Sequence, residues 1–214
     1  MLLPVTDVKT STRRDRAART RRAILDAAHT EFLEGGYHGA TITAIATRAG
    51  VAPQTVYFVF HTKAELVSAV IDDRVLGPQT PTLPQDSPWW AAMLAAPTAA
   101  AALEQFVRGA APLLARAAAV SEVVRAASLT DEEVRAIHDY HDRMQVAGYR
   151  QVIDVVTGKG ALRAGLTPET ATHVLLTLCG DSLWVQLTTD RGWTPAQVTH
   201  WLAAIVPTAI LTTP

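Results

Sequence analysis

Between Ala49 and Leu66 the chain reads AGVAPQTVYFVFHTKAEL, and its polar side chains are spaced for reading a surface rather than for catalysis. Gln54 can pair bidentately with adenine, Thr55 can bond a base or touch a thymine methyl, and Tyr57 can donate to a phosphate oxygen. Val56, Val59 and Phe60 fall between them as the residues that would hold a short helix on a small core. No GxSxG, P-loop or HExxH pattern occurs, and Cys179, the only cysteine, has no basic sequence neighbour to activate it. Neither catalytic residues nor a cofactor are assigned. His138, His141 and Asp142 share one helical face at i, i+3 and i+4, a spacing that suits a metal. Without a further ligand cluster elsewhere, a polar helix face or a pH-sensitive pocket wall is the better reading, and no metal is assigned.

The elements that must carry these residues announce themselves by their starts. Thr62-Lys63-Ala64-Glu65, Thr130-Asp131-Glu132-Glu133 and Thr194-Pro195-Ala196-Gln197 are capping boxes, while Ser87-Pro88 and Thr167-Pro168 place a capping hydroxyl before a helix-initiating proline. Strand signals are nearly absent, so the chain is expected to be all-α. The spacing predicts helices over 17–34, 41–49, from Pro53, and 63–76. Further ones are predicted over 88–95, 98–119, 121–128, 131–157, 168–189 and 195–212. Residues 77–87, GPQTPTLPQDS, have the composition of a linker between an N-terminal domain, 1–76, and a larger helical domain, 88–214. Gly50 is placed to end the second helix in a left-handed conformation, and Ala46 and Ala49 are small enough for two helices to cross closely. That describes a helix-turn-helix, although an ordinary helical hairpin has the same periodicity.

Charge is divided unevenly in a chain whose formal net charge is −1. Lys9, Arg13, Arg14, Arg16, Arg19, Arg21 and Arg22 crowd the first 22 residues, opposed there by Asp7 and Asp15. A solvated basic tail and a polyanion-binding arm both fit this excess. A single cysteine rules out an intrachain disulfide, the N-terminal apolar run is short for a signal peptide, and no stretch has the ~20 apolar residues of a membrane span. A soluble, cytoplasmic protein with no membrane partner is therefore expected.

The string GYHGATITAIATRAGVAPQTVYFVFHTKAEL resembles the DNA-binding domain of the TetR family of bacterial transcriptional regulators. The matching positions are Gly36-Tyr37, Thr41, Ile45-Ala46, Ala49-Gly50-Val51, Thr55-Val56-Tyr57, Phe60 and Thr62-Lys63-Ala64-Glu65-Leu66. Ala52, Gln54 and Val59 depart from the family's usual serine, glycine and aromatic, which should alter the bases read without undoing the fold. The resemblance implies a three-helix DNA-binding domain followed by a ligand-binding and dimerisation domain. It implies phosphate contacts from Thr43, Tyr57 and Lys63, and base-facing roles for Gln54, Thr55, Phe58 and His61. Arg13, Arg14 and Arg16 would reach an adjacent minor groove. It further implies a homodimer through the last two helices, here along Val174, Leu175, Leu178 and Val185 and along Val198, Trp201, Leu202 and Ile205. A pseudo-palindromic double-stranded operator follows from that two-fold pairing. The expected function is a repressor released by a small hydrophobic or aromatic effector. The expected pocket draws on Trp89, Trp90, Met93, Phe106, Tyr140, His141, Met144, Tyr149 and Trp184. The rival readings are a small enzyme and a helical module that binds only protein.

Overall fold

The computed structural model describes residues 6–77 and 83–212, and in it the chain divides into two compact units, Met1–Val70 and Ile71–Pro214. Among the described residues the regular elements are all helical, as expected, and no helix is long and apolar enough to cross a membrane.

In the small unit, α1 runs Thr6–Gly39, α2 Ile42–Ala49 and α3 Pro53–Phe60, and α4, Lys63–Leu76, begins there and crosses the division at Val70. Helix α1 starts well before the predicted residue 17, because the basic segment contains no glycine or proline to interrupt it. Gly36, at φ 66° and ψ 178°, breaks the helical path near its end. Ile24, Ala28 and Phe32 of α1, Ile45 and Ala46 of α2, Val56 and Phe60 of α3, and Leu66, Val67 and Val70 of α4 are buried. They recur at three- and four-residue steps, so each helix turns one apolar stripe inward. Phe32 stacks on Tyr37 with ring centroids 6.0 Å apart.

The described residues of the large unit include a 3₁₀ turn at Pro84–Asp86, α5 (Pro88–Ala95), α6 (Ala99–Ala127), α7 (Glu132–Thr157), α8 (Pro168–Leu178), α9 (Asp181–Val185), a π turn at Gln186–Asp190, and α10 (Pro195–Ile210). Helix α6 is the central post, packed by α5, α7, α9 and α10. The predicted stop between residues 119 and 121 does not occur: Ala117, Ala118, Val120 and Val124 form one buried stripe across Ser121, and that burial holds the helix together. Pro112 within α6 withholds a donor from the preceding turn, a local cost that the flanking buried stripe offsets.

The predicted helix over 168–189 is instead broken at Cys179-Gly180. The Tyr149 hydroxyl on α7 donates to the Cys179 carbonyl, satisfying an acceptor that the broken helix leaves open. Gly180 is required there: a Cβ would lie 2.4 Å from the Leu176 carbonyl oxygen.

Candidate nucleic-acid interface

Each helix in the turn region is started or stopped by a local device. The Thr41 side chain accepts from the Ala44 amide at 3.1 Å, fixing the start of α2. Gly50, at φ 68° and ψ 32°, closes α2 with its amide on the carbonyls of Ala46 and Thr47. Pro53 opens α3 without a side-chain cap, since Ala52 has no oxygen to offer. The α3–α4 junction is tighter. Thr62 donates its amide to the Phe60 carbonyl at 2.5 Å, and His61 between them sits at φ 54° and ψ −55°. This is a γ-turn of the strained, positive-φ kind, and His61 is the sole non-glycine residue with positive φ among those described.

With Val56 and Phe60 fixed inward, α3 presents Gln54, Tyr57, Phe58 and His61 outward, while Thr55 is half-buried. Phe58 is 83% exposed, the most exposed of the large apolar side chains described. Thr43 is exposed in the first turn of α2. Lys63 is turned inward instead: its ammonium donates to the carbonyls of Tyr37 at 2.9 Å and Ala40 at 3.2 Å and lies 4.3 Å from the Tyr37 ring centre. It closes the end of α1 against the start of α4.

The other cations of this unit sort into two groups. Arg48 is held by Glu31 at 2.7 Å and Glu34 at 2.6 Å, which raise its pKa further, and Arg22 grips Asp26 on its own helix. Arg13, Arg14, Arg16, Arg19 and Arg21 form no ion pair among the described residues, and all five are exposed along α1. The Arg21 guanidinium lies 4.8 Å from the centre of the Phe60 ring.

The residues expected to line an effector pocket occupy two places in the large unit. Trp90, Met93, Phe106, Tyr149 and Trp184 are buried in its core. Trp89 joins them from the rim, 5.6 Å from Trp90 and 6.2 Å from Phe106, which is 5.2 Å from Tyr149. Trp89 covers Gly109, where a Cβ would come within 2.4 Å of the indole. Tyr140 and Met144 are exposed on α7, apart from that cluster, and His141 lies 3.9 Å from Asp72. Burial lowers the His141 pKa, the Asp72 charge opposing it and His138 adding to it. His138 is beside Asp139, and no group of three potential metal ligands comes together among the described residues.

Sequence reasoning passed over one polar cluster. Asp181, just after the helix break, is held by the Ser121 side chain and faces Glu122, and burial pushes its carboxyl up to about 6. Ser182 donates to Glu122 at 2.5 Å, and Glu122 also binds Arg125 at 2.8 Å. Burial lifts Tyr149, with Cys179 and Asp181 adding to it, and pushes the Cys179 thiol up to about 12, away from the reactive thiolate. The signal available in the sequence was Gly-Asp-Ser inside an otherwise apolar stretch.

Residues 24–70 match the family model described as bacterial regulatory proteins, tetR family. The chain is 31% identical over 183 residues to the HTH-type transcriptional repressor BepR of Brucella suis biovar 1 (strain 1330), spanning 83% of this chain and 85% of that one. Among solved structures, the transcriptional regulator FadR from Bacillus subtilis, in complex with stearoyl-CoA, is similar with a TM-score of 0.67 at 18% identity, over 88% of this chain and 98% of its own. NalD, the secondary repressor of the MexAB-OprM multidrug efflux pump in Pseudomonas aeruginosa, is similar with a TM-score of 0.60 at 24% identity, over 92% and 100%. At those identities the two structures speak for the fold alone.

Proposed function

The chain belongs to the TetR family of transcriptional regulators, and from that premise we propose a cytoplasmic, dimeric repressor that holds a pseudo-palindromic operator and releases it when a small hydrophobic or aromatic molecule binds. The observation that carries the DNA half of this reading is the outward row Gln54, Tyr57, Phe58 and His61 on a helix whose other face is locked by Val56 and Phe60. A short helix with its N-terminus free and polar side chains at its rim is what a major groove about 12 Å wide admits. Gln54 and Thr55 read bases, with Phe58 and His61 beside them. Thr43 and Tyr57 bond phosphates. Lys63 adds its positive charge at the start of α4, where its ammonium donates to the Tyr37 and Ala40 carbonyls. The exposed arginines 13, 14 and 16 add the general electrostatic attraction.

One such helix makes few contacts, so two copies are needed, about 34 Å apart on successive grooves. Leu175, Val198 and Leu202 are already used inside the core of one chain. Val174, Leu178, Val185, Trp201 and Ile205, which are only partly covered, remain to meet a second copy. Residues 1–76 serve as the DNA-binding domain, 77–87 as the linker and 88–214 as the effector and dimerisation domain. The repressor assignment follows the name of BepR, and an apolar effector suits the aromatic cluster of Trp89, Trp90, Phe106 and Tyr149.

Selection from a random-sequence duplex library with the purified chain tests the reading. The expected result is a two-fold-related consensus whose binding weakens steeply with salt. Failure to enrich any sequence would remove the operator from the proposal, and enrichment of a single, unpaired half-site would remove the dimer.

A further inference from the structure

We infer that Arg14 and Arg21 form a second DNA contact, a phosphate-binding ridge on α1 that acts independently of base sequence. This rests on the DNA-binding reading above and adds to it a residue, Arg21, and an arrangement that a disordered arm would lack. Because α1 is helical from Thr6, its arginines have fixed directions. At about 100° per residue, Arg14 points within about 20° of Arg21, two turns and roughly 10.5 Å along the same face. Arg13 lies about 80° to one side, while Arg16 and Arg19 point about 140° and 160° away. The Arg21 guanidinium is seated on the ring of Phe60, the last residue of α3, so this face of α1 is the one beside the outer end of the recognition helix.

Charge points the same way. Arg22 and Arg48 are neutralised by carboxylates on this unit, but Arg14 and Arg21 are not. A guanidinium held over an aromatic ring keeps its edge donors free, and its charge is not cancelled by the ring. A planar cation with donors facing out and no carboxylate partner suits a phosphate oxygen. Nucleic acid docked on Gln54 and Tyr57 would continue past Phe60 onto this ridge.

The test is a salt titration of the full-length protein on a labelled 30-bp duplex of random sequence, followed by fluorescence anisotropy. Arg14→Ala and Arg21→Met should each flatten the slope of log affinity against log salt by about 0.9 per bound chain. The ratio of affinities at 50 and 200 mM KCl then shrinks about 3.5-fold for each. Methionine retains packing on Phe60, and an unchanged unfolding midpoint verifies this. Arg19→Ala, on the far face, should leave the slope alone. A wild-type slope in both ridge variants, or an equal loss in Arg19→Ala, overturns the ridge while leaving the recognition helix standing. Wild-type protein that shows no salt-dependent DNA binding overturns the DNA reading itself and the ridge with it.

Discussion

The two units treat their polar chemistry in opposite ways. The small unit keeps its core apolar and sends Gln54, Tyr57, His61 and the unpaired arginines to the surface, where they cost little to hydrate. In the large unit, Tyr149, Cys179 and Asp181 are drawn inward around a helix break, where desolvation works against every charge. A surface that recognises a polyanion gains from charge left ready in water. Polar groups placed in an interior are held by specific pairing, because desolvation makes the alternatives unequal. The same kinds of side chain are thus left at the surface in one unit and drawn toward the interior in the other.

Substitutions can break this contrast, and the largest effects should lie in the large unit. Trp184→Ala empties a position that is 4% exposed, and should cost about 3–5 kcal/mol in chemical denaturation. Were the loss small with only ligand response altered, Trp184 would be a pocket wall rather than core. Gly180→Ala should cost about 2–3 kcal/mol, because its methyl meets the Leu176 carbonyl and the backbone must shift. A neutral result would mean that the break can heal into a continuous helix.

Asp181 tests the buried acid directly. Burial pushes its carboxyl from the ordinary 3.8 up to about 6, so the folded chain holds the proton more tightly between those values. Stability should therefore be higher below about pH 4, fall as pH rises to about 6 and stay flat above, by about 2 kcal/mol after allowance for partial hydration. Asp181→Asn should lack that fall, and parallel denaturation profiles of the two proteins from pH 4 to 8 would contradict the assignment. The smallest stability effect belongs to the docking face: Phe58→Ala should move stability by less than about 0.5 kcal/mol while weakening DNA binding in the same preparation.

What could be read from the sequence follows the same division. Gly50, Thr41, Pro53 and Thr62 act on neighbours within four residues, so the ends of α2, α3 and α4 were legible in the order of residue types. The outward set on α3 followed from two anchors, Val56 and Phe60. Helix α8 was different. Its break depends on the Tyr149 hydroxyl, thirty positions away, catching the Cys179 carbonyl, and on Ser121 holding Asp181 from another helix. No local pattern encodes such pairings. Lys63 stood at a recognisable position, yet its inward turn is decided by the Tyr37 and Ala40 carbonyls at the end of α1. The continuity of α6 across Ser121 was likewise a matter of what packs on Ala117, Val120 and Val124.

If His61 reads the operator as proposed, the γ-turn there sets two selective pressures against each other at one codon. Positive φ costs a β-carbon-bearing residue about 1–3 kcal/mol, and glycine would relieve it. A screen for heat-tolerant variants should drift toward glycine at 61. A screen that rewards grip on the operator should keep the imidazole, because only a side chain can extend the reading surface past the end of α3. The residue recovered from each screen would reveal which of the two demands has shaped this corner of the protein.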